Sequence, residues 1–424
     1  MIDPKLMRTD PDTIVNMLKS RNVELNISEL LEVDKNRRGL ITELEAYKMK
    51  RNKISQEIST KKQQGTDISE TLTEMKNISI KIEELQSSVK LIQEDYHNRL
   101  ESIPNLVHDS VPIGKDEKAN KEIENWQPKT GLNNNSLDHI ELAKKNDLID
   151  LERASKISGS RFYFLKNALV KMNYALIAFA LDYINKKGYA MLQPPYLMNR
   201  KPMSGAVILS DFEEVIYKIE DQDLYLIGTS EHALAAMHSD EIFLKDDLPR
   251  KYASVSPCFR KEAGSHGRDT KGIFRVHQFE KVEIFSITDP ESSWNQHEEI
   301  LSDVKQFYKE LEIPYRVMLL SSGDMGKVAA KTFDIEAWLP GQKNYRELVS
   351  CSNCTDFQSR RLGIKFRNKP HEESILTHTL NSTLTATERT LIAIIENFQN
   401  EDGSITIPKV LRGYMNNQKE ITST

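Results

Sequence analysis

With 424 residues the chain exceeds what one hydrophobic core usually organises, so two or more domains are expected. Fifty-eight Lys and Arg against 63 Asp and Glu leave a net charge of −5, which excludes a broadly basic nucleic-acid coat and confines any such contact to a local patch. Three cysteines exclude a secreted disulfide scaffold, and the longest apolar stretch, 174–184, is too short for a bilayer span and contains Asp182. The opening Met1-Ile2-Asp3-Pro4-Lys5 shows no apolar run of the signal-peptide kind, so no signal peptide is expected. A soluble protein of the reducing cytoplasm, without membrane contact, is expected.

Residues from about 28 to 103 make the first predicted element. Leu30, Val33, Arg37, Leu40, Leu44, Tyr47, Arg51, Ile54 and Ile58 recur at spacings of three and four, and the pattern resumes at Met75, Ile78, Ile82, Leu85, Val89, Ile92 and Tyr96. Between them Gln63-Gln64-Gly65-Thr66-Asp67 suits a turn, which predicts an antiparallel coiled-coil hairpin. No proline falls between Pro11 and Pro104, so both helices can run unbroken until Pro104 ends the second. The first helix carries nine basic and six acidic residues, the second four and eight. Complementary charges can pair within the hairpin. The alternative is that Lys48, Lys50, Arg51, Lys53, Lys61 and Lys62 form a basic stripe towards the tip that receives phosphates. A projection with so little core is no enzyme, and its expected role is to reach a large partner.

The stretch 111–135, punctuated by Pro112, Gly114, Pro128 and Gly131, reads as a linker. Over 136–424 helical patterns alternate with short β-rich runs, as at 224–227 and 282–285, which predicts an α+β body rather than a doubly wound one. Neither the P-loop pattern nor Gly-x-Gly-x-x-Gly occurs, so a nucleotide would be held without either glycine-rich cradle.

The densest constellation spans 258–283. Arg260 and Glu262 stand two apart on a predicted strand and so can share one site. A glycine-rich loop bearing Arg268 and Lys271 follows, then a second predicted strand with Arg275, His277, Phe279, Lys281 and Glu283 alternating onto one face. An arginine fork suits an oxyanion on phosphorus, and a glutamate beside it can accept from an amine or a ribose hydroxyl. The plain alternative is a solvated strand face.

Phe259-Arg260-Lys261-Glu262-Ala263-Gly264-Ser265-His266-Gly267-Arg268-Asp269 and Arg275-Val276-His277-Gln278-Phe279-Glu280-Lys281-Val282-Glu283 resemble motif 2 of the class II aminoacyl-tRNA synthetases in its seryl-tRNA synthetase form. The resemblance covers nearly the whole chain. Residues 1–8 and Arg51-Asn52 fit that family's N-terminal arm, and 147–156 with 159–165 fit the lead-in to its catalytic domain. The helix to Gly188 with Pro194-Pro195 fits motif 1, Thr229-Ser230-Glu231 the serine-binding segment, and Asn381 through Arg389 motif 3. The segments 332–342, 346–347, 351–361 and 401–408 also fit.

The resemblance implies an N-terminal tRNA-binding domain over 1–110 and, over 136–424, a class II catalytic domain built on an antiparallel β-sheet flanked by helices. It implies ATP-dependent attachment of L-serine to tRNA(Ser) through seryl-adenylate, with transfer to the 3′-terminal adenosine, and to tRNA(Sec) where one is present. Arg260, Glu262 and Arg389 would be catalytic, with Arg260 on the α-phosphate. ATP would be held by Arg260, Lys261, Glu262, Arg275, Val276, Phe279 (under adenine), Glu347, Leu348, Val349, Ser350 and Arg389. Glu347 and Ser350 would hold the Mg²⁺ that accompanies ATP. Serine would be bound by Thr229, Ser230, Glu231, Arg260, Glu283, Asn381 and Thr383. The basic stripe would then meet tRNA, and the family's homodimer would form through motif 1.

Motif 3 departs from the usual bacterial Asn-Gly-Ser-Gly-Leu-Ala-Val-Gly-Arg-Thr, reading Asn381-Ser382-Thr383-Leu384-Thr385-Ala386-Thr387-Glu388-Arg389-Thr390. No charged group is lost. Cys351-x-x-Cys354 lacks the second pair that a structural zinc site requires, so no zinc is expected. His266 and His277 read as hydrogen-bonding or structural, and Leu169, Met172, Leu176, Phe179 and Ile184 as core or subunit interface. Two rivals are a catalytically silent RNA-binding paralogue and a ligase that loads an amino acid on a carrier protein. Retention of the charged residues opposes the first, and the intact arm opposes the second.

Overall fold

The structure is a computed structural model that describes residues 1–133, 135, 137–208, 213–262 and 272–422. The chain is α+β and forms two compact units, 1–19 with 23–104 and 20–22 with 105–424.

In the first unit, helix α1 (Ile27–Gln63) starts where the Asn26 side chain accepts the Glu29 N–H at 3.2 Å. At 1.5 Å per residue it is about 55 Å long. Gly65, at φ +65°, turns the chain into α2 (Ser69–Glu101). Arg99 near the end of α2 bonds Glu29 at 2.7 Å, and Glu74 near its start bonds Lys50 at 2.8 Å, so the helices are antiparallel. Leu44 and Ile54 interlock with Ile78, Ile82, Leu85 and Val89. Arg37 fits the apolar spacing because its guanidinium lies 4.6 Å from the Tyr96 ring centre and bonds buried Asp34 at 2.9 Å. Arg51 corrects the expected seam, for it is exposed.

The second unit is organised on an eight-stranded sheet among the described residues: β1 (Lys121–Trp126), β2 (Ala190–Leu192), β3 (Arg250–Phe259), β4 (Gln278–Thr288), β5 (Tyr315–Leu319), β6 (Lys331–Leu339), β7 (Asn344–Thr355) and β8 (His378–Ala386). Their spatial order is β1-β5-β6-β7-β8-β4-β3-β2, antiparallel except for β2 against β3. Strand β1 corrects the reading of 111–135 as a linker, since it pairs with β5 at the sheet edge. Its Lys-Glu-Ile-Glu-Asn-Trp sequence is mostly polar because an edge strand is largely wet, and that hides it from an apolar-periodicity reading.

Alternation divides the sheet's two faces. Val282 and Ile284 of β4, with Leu380 and Leu384 of β8, enter one core with Met172 and Leu176 of helix α3 (Asn167–Asn185), Phe307 of α4 (Ser293–Glu310) and Leu391 of α5 (Thr387–Asn397). The stripe Leu169, Met172, Leu176, Phe179 and Ile184 is part of it. On the other face Phe285 and Ile287 pack with Met203, Leu234 and Leu362, leaving Lys281 and Glu283 to line a hollow. No helix of the described residues is long and apolar enough to cross a membrane.

Candidate active site

That face carries a hollow of about 400 Å³ joined to a narrower one by shared lining residues, Arg260, Glu262, Lys281 and Thr383. Arg260 and Arg389 both line the narrower part. β3 ends at Phe259, which corrects the expectation that Arg260 and Glu262 lie on a strand. Glu262 instead takes φ +51°, a backbone turn uncommon for a non-glycine residue. Arg260 and Glu262 still reach one site, whereas Lys261 between them points elsewhere. Its N–H donates to the Val215 carbonyl at 2.7 Å, its ammonium lies 5.8 Å from the Tyr217 ring centre, and it lines neither hollow. Arg268 and Lys271, with the rest of 263–271, lie outside the described residues.

In the narrow hollow, Glu262 bonds Arg275 at 2.9 Å, and the Arg260 guanidinium lies 5.2 Å from the Phe279 ring centre while its Nε donates to the Gly228 carbonyl at 3.1 Å. Across from them Arg389 bonds the Glu347 carboxylate at 3.1 Å and rests on Phe274, 4.9 Å from the ring centre. Val276 and Leu348 line the wall. Arg389, with Arg260 and Arg275 adding to it, holds the Glu347 carboxyl below the usual range, while burial and the Glu347 charge push Asp334 well above it.

Glu347 and Ser350 share a face although they are three apart. Asp334 pairs with Ser350, Ile335 with Val349, and Glu336 with Glu347, so Leu348 is an extra residue, a β-bulge that rotates Glu347 onto the side of Ser350. Val349, expected at the nucleotide, consequently points its side chain into the core and is fully buried. The Ser350 hydroxyl donates to Asp334 at 2.6 Å. This carboxylate and hydroxyl set offers hard oxygen donors of the type that suits Mg²⁺. No group of three or more His, Cys, Asp or Glu is placed to hold a metal among the described residues, and Cys258, Cys351 and Cys354 are buried free thiols.

The wider hollow is polar at its floor. Lys281 and Glu283, both almost fully buried, pair at 2.5 Å. Glu231, in the short helix Glu231–Ala236, accepts from Gln358 at 2.9 Å and from Asn381 at 3.2 Å. Burial, with the Glu283 charge adding, pushes its carboxyl up to about 7. Burial also pushes neighbouring His232 down to about 3, so its ring is neutral. Thr229, Asn381 and Thr383 line the hollow, with Thr383 paired directly with Glu283 across β8 and β4. Ser230, expected at serine, is fully buried between Thr229 and Glu231 and is not among the lining residues. His277 lies before β4, its ring Nδ1 2.9 Å from both the Tyr217 hydroxyl and the Arg260 carbonyl, and is not on the hollow.

Lys281, Phe274, His232 and Gln358 have no assigned role in the sequence reading. Lys281 was legible as sharing the face of Phe279 and Glu283. Gln358 carried no signal, because only the fold brings it to Glu231. On the arm, Lys48 pairs with Glu45, Lys50 with Glu74 and Lys61 with Glu57. Arg51, Lys53 and Lys62 are exposed and enter no ion pair among the described residues.

Residues 1–107 match the model of the seryl-tRNA synthetase N-terminal domain, and 216–398 that of the tRNA synthetase class II core domain (G, H, P, S and T). A serine--tRNA ligase of Nitrosopumilus maritimus (strain SCM1) is 56% identical over 421 residues, 99% of this chain and 100% of that protein. The crystal structure of seryl-tRNA synthetase from Pyrococcus horikoshii complexed with ATP matches with a TM-score of 0.91 at 45% identity, covering 100% of both chains. That of cytoplasmic serine-tRNA ligase from Naegleria fowleri in complex with AMP matches with a TM-score of 0.85 at 37% identity, covering 100% of this chain and 99% of that one.

Proposed function

This chain belongs to the seryl-tRNA synthetase family and attaches serine to tRNA with ATP, and we propose that the two joined hollows divide its first half-reaction between them. The narrow one takes ATP, with adenine between Phe279 and Arg389 and the α-phosphate on Arg260. The wide one takes serine, whose hydroxyl and ammonium meet Glu231, Glu283, Thr229, Thr383 and Asn381. The observation that carries this is that Arg260 lines both. A serine carboxylate in the wide hollow then adjoins the phosphate that it attacks.

The serine oxygen forms the new bond to phosphorus as pyrophosphate leaves, so no nucleophilic side chain is needed. Catalysis is positioning plus neutralisation of charge by Arg260 and Arg389. Glu347 and Ser350 would hold a Mg²⁺ that neutralises charge on the ATP oxygens. A floor of buried polar groups selects serine over alanine, whose lack of a hydroxyl leaves them unpaired, while threonine must be refused by shape.

The second half-reaction uses the arm, with Arg51, Lys53 and Lys62 as the phosphate contacts best supported by their exposure. Homodimerisation through the motif 1 region is supported by Tyr174 of α3 and Met191 of the edge strand β2, large apolar side chains 63% and 51% exposed. A cytoplasmic location fits the tRNA substrate. The test is ATP–pyrophosphate exchange with each of the twenty amino acids. Serine alone should support it, and Arg260→Ala should reduce it by about 10²–10³-fold. Full exchange in that variant would remove the α-phosphate role.

A further inference from the structure

Glu388, the second residue of α5, is only 2% exposed and nonetheless lines the narrow hollow beside Phe279 and Arg389. Its two carboxylate oxygens accept the backbone N–H of Glu280 at 3.2 and 3.1 Å. The Thr387 hydroxyl donates to Oε2 at 3.1 Å, and the Tyr163 hydroxyl donates to Oε1. Glu280 directly follows Phe279, and Arg389 directly follows Glu388. One buried carboxylate therefore ties the start of β4, which carries one wall of the slot, to the first turn of α5, which carries the other. Asn173 of α3 donates to the Glu280 carboxylate, which secures that end of β4 from the core side.

Donors from three segments converge on a single acceptor group, and such bonds are strong where water is excluded. Burial pushes the carboxyl up to about 7, so it is held at that place against its own desolvation. A glycine or alanine at 388 would leave the Glu280 N–H and the Tyr163 hydroxyl without this acceptor, and the slot would lose its direct tie between the residue after Phe279 and the residue before Arg389.

We propose that Glu388 is a positioning residue that sets the width of the Phe279–Arg389 slot and hence the affinity for the adenosine end of ATP, an inference that rests on that slot being the nucleotide's. In pyrophosphate exchange, Glu388→Ala should raise KM for ATP about tenfold while KM for serine and kcat stay within about twofold. Glu388→Gln keeps an acceptor for the Glu280 N–H and should recover most of the loss. If Glu388→Ala melts too low to assay, Tyr163→Phe removes one donor and should show the same split at about threefold. An unmoved ATP KM, or equal rises in both KM values, overturns the role. Phe279→Ala separates the two readings. No rise in its KM for ATP removes the assignment of the slot to the nucleotide, whereas a rise there with no ATP-specific effect in the Glu388 variants removes only the role of Glu388.

Discussion

Glu231 shows how burial turns a common residue into a tuned one. Its carboxyl has left water, shares the hollow with Glu283, and is pushed from 4.5 up to about 7 despite Lys281 and Gln358. A carboxyl whose folded value lies above its unfolded one contributes stability below pH 4.5, and that contribution is lost as pH rises through 7. Glu231→Gln cannot ionise, so its stability relative to the wild type should rise by about 3 kcal/mol between pH 4.5 and pH 8. Thermal melts of both proteins across that range check it, and a constant difference would show that Glu231 titrates normally. The same window contains Glu388, also pushed up to about 7, whose contribution cancels in this comparison.

At the scale of elements, two irregularities in the sheet place the chemistry. The bulge at Leu348 brings Glu347 and Ser350 to one side of β7, and a second at Leu384 lets Thr383 and Ala386 both face the hollows although they are three apart. The arm is a separate element with a compact unit of its own, and no residue of α1 or α2 lines either hollow. Removing 36–98, with a short turn in its place, should leave serine-dependent exchange within about threefold and abolish charging of tRNA. Preserved charging would refute the arm's proposed task. Within the arm, half of the predicted basic stripe is engaged in ion pairs, so charge reversal at Arg51, Lys53 and Lys62 is the sharper version of the same experiment.

Across the whole catalytic unit the larger of the two cores backs the strands and α5 that carry the narrow hollow. Leu391 is fully buried in it, two residues after Arg389 on the same helix. Leu391→Ala should cost about 2–5 kcal/mol of unfolding free energy in urea titrations, with a loss near zero showing that the core repacks freely.

The hairpin, the α+β class and the clustering of Arg260, Glu262, Phe279 and Glu283 were legible because periodicity and strand parity are local properties of a chain. Helix α1 could be read from its spacing alone, and β4 from its alternation. What local pattern could not reveal was where alternation stops. Glu262 sits past a strand end at φ +51°, and Lys261, Val349 and Ser230 face away from the hollows although each adjoins a residue that lines them. Nor could β1 be told from a linker, since an edge strand exposed to water needs no apolar face. The sequence by itself determined which residue types were present for nucleotide and amino-acid chemistry, and their order along the chain. The tertiary structure alone decided their convergence, because Gln358 meets Glu231, Glu388 meets Glu280, and Arg389 meets Glu347 only when strands far apart in the chain are hydrogen-bonded into one sheet.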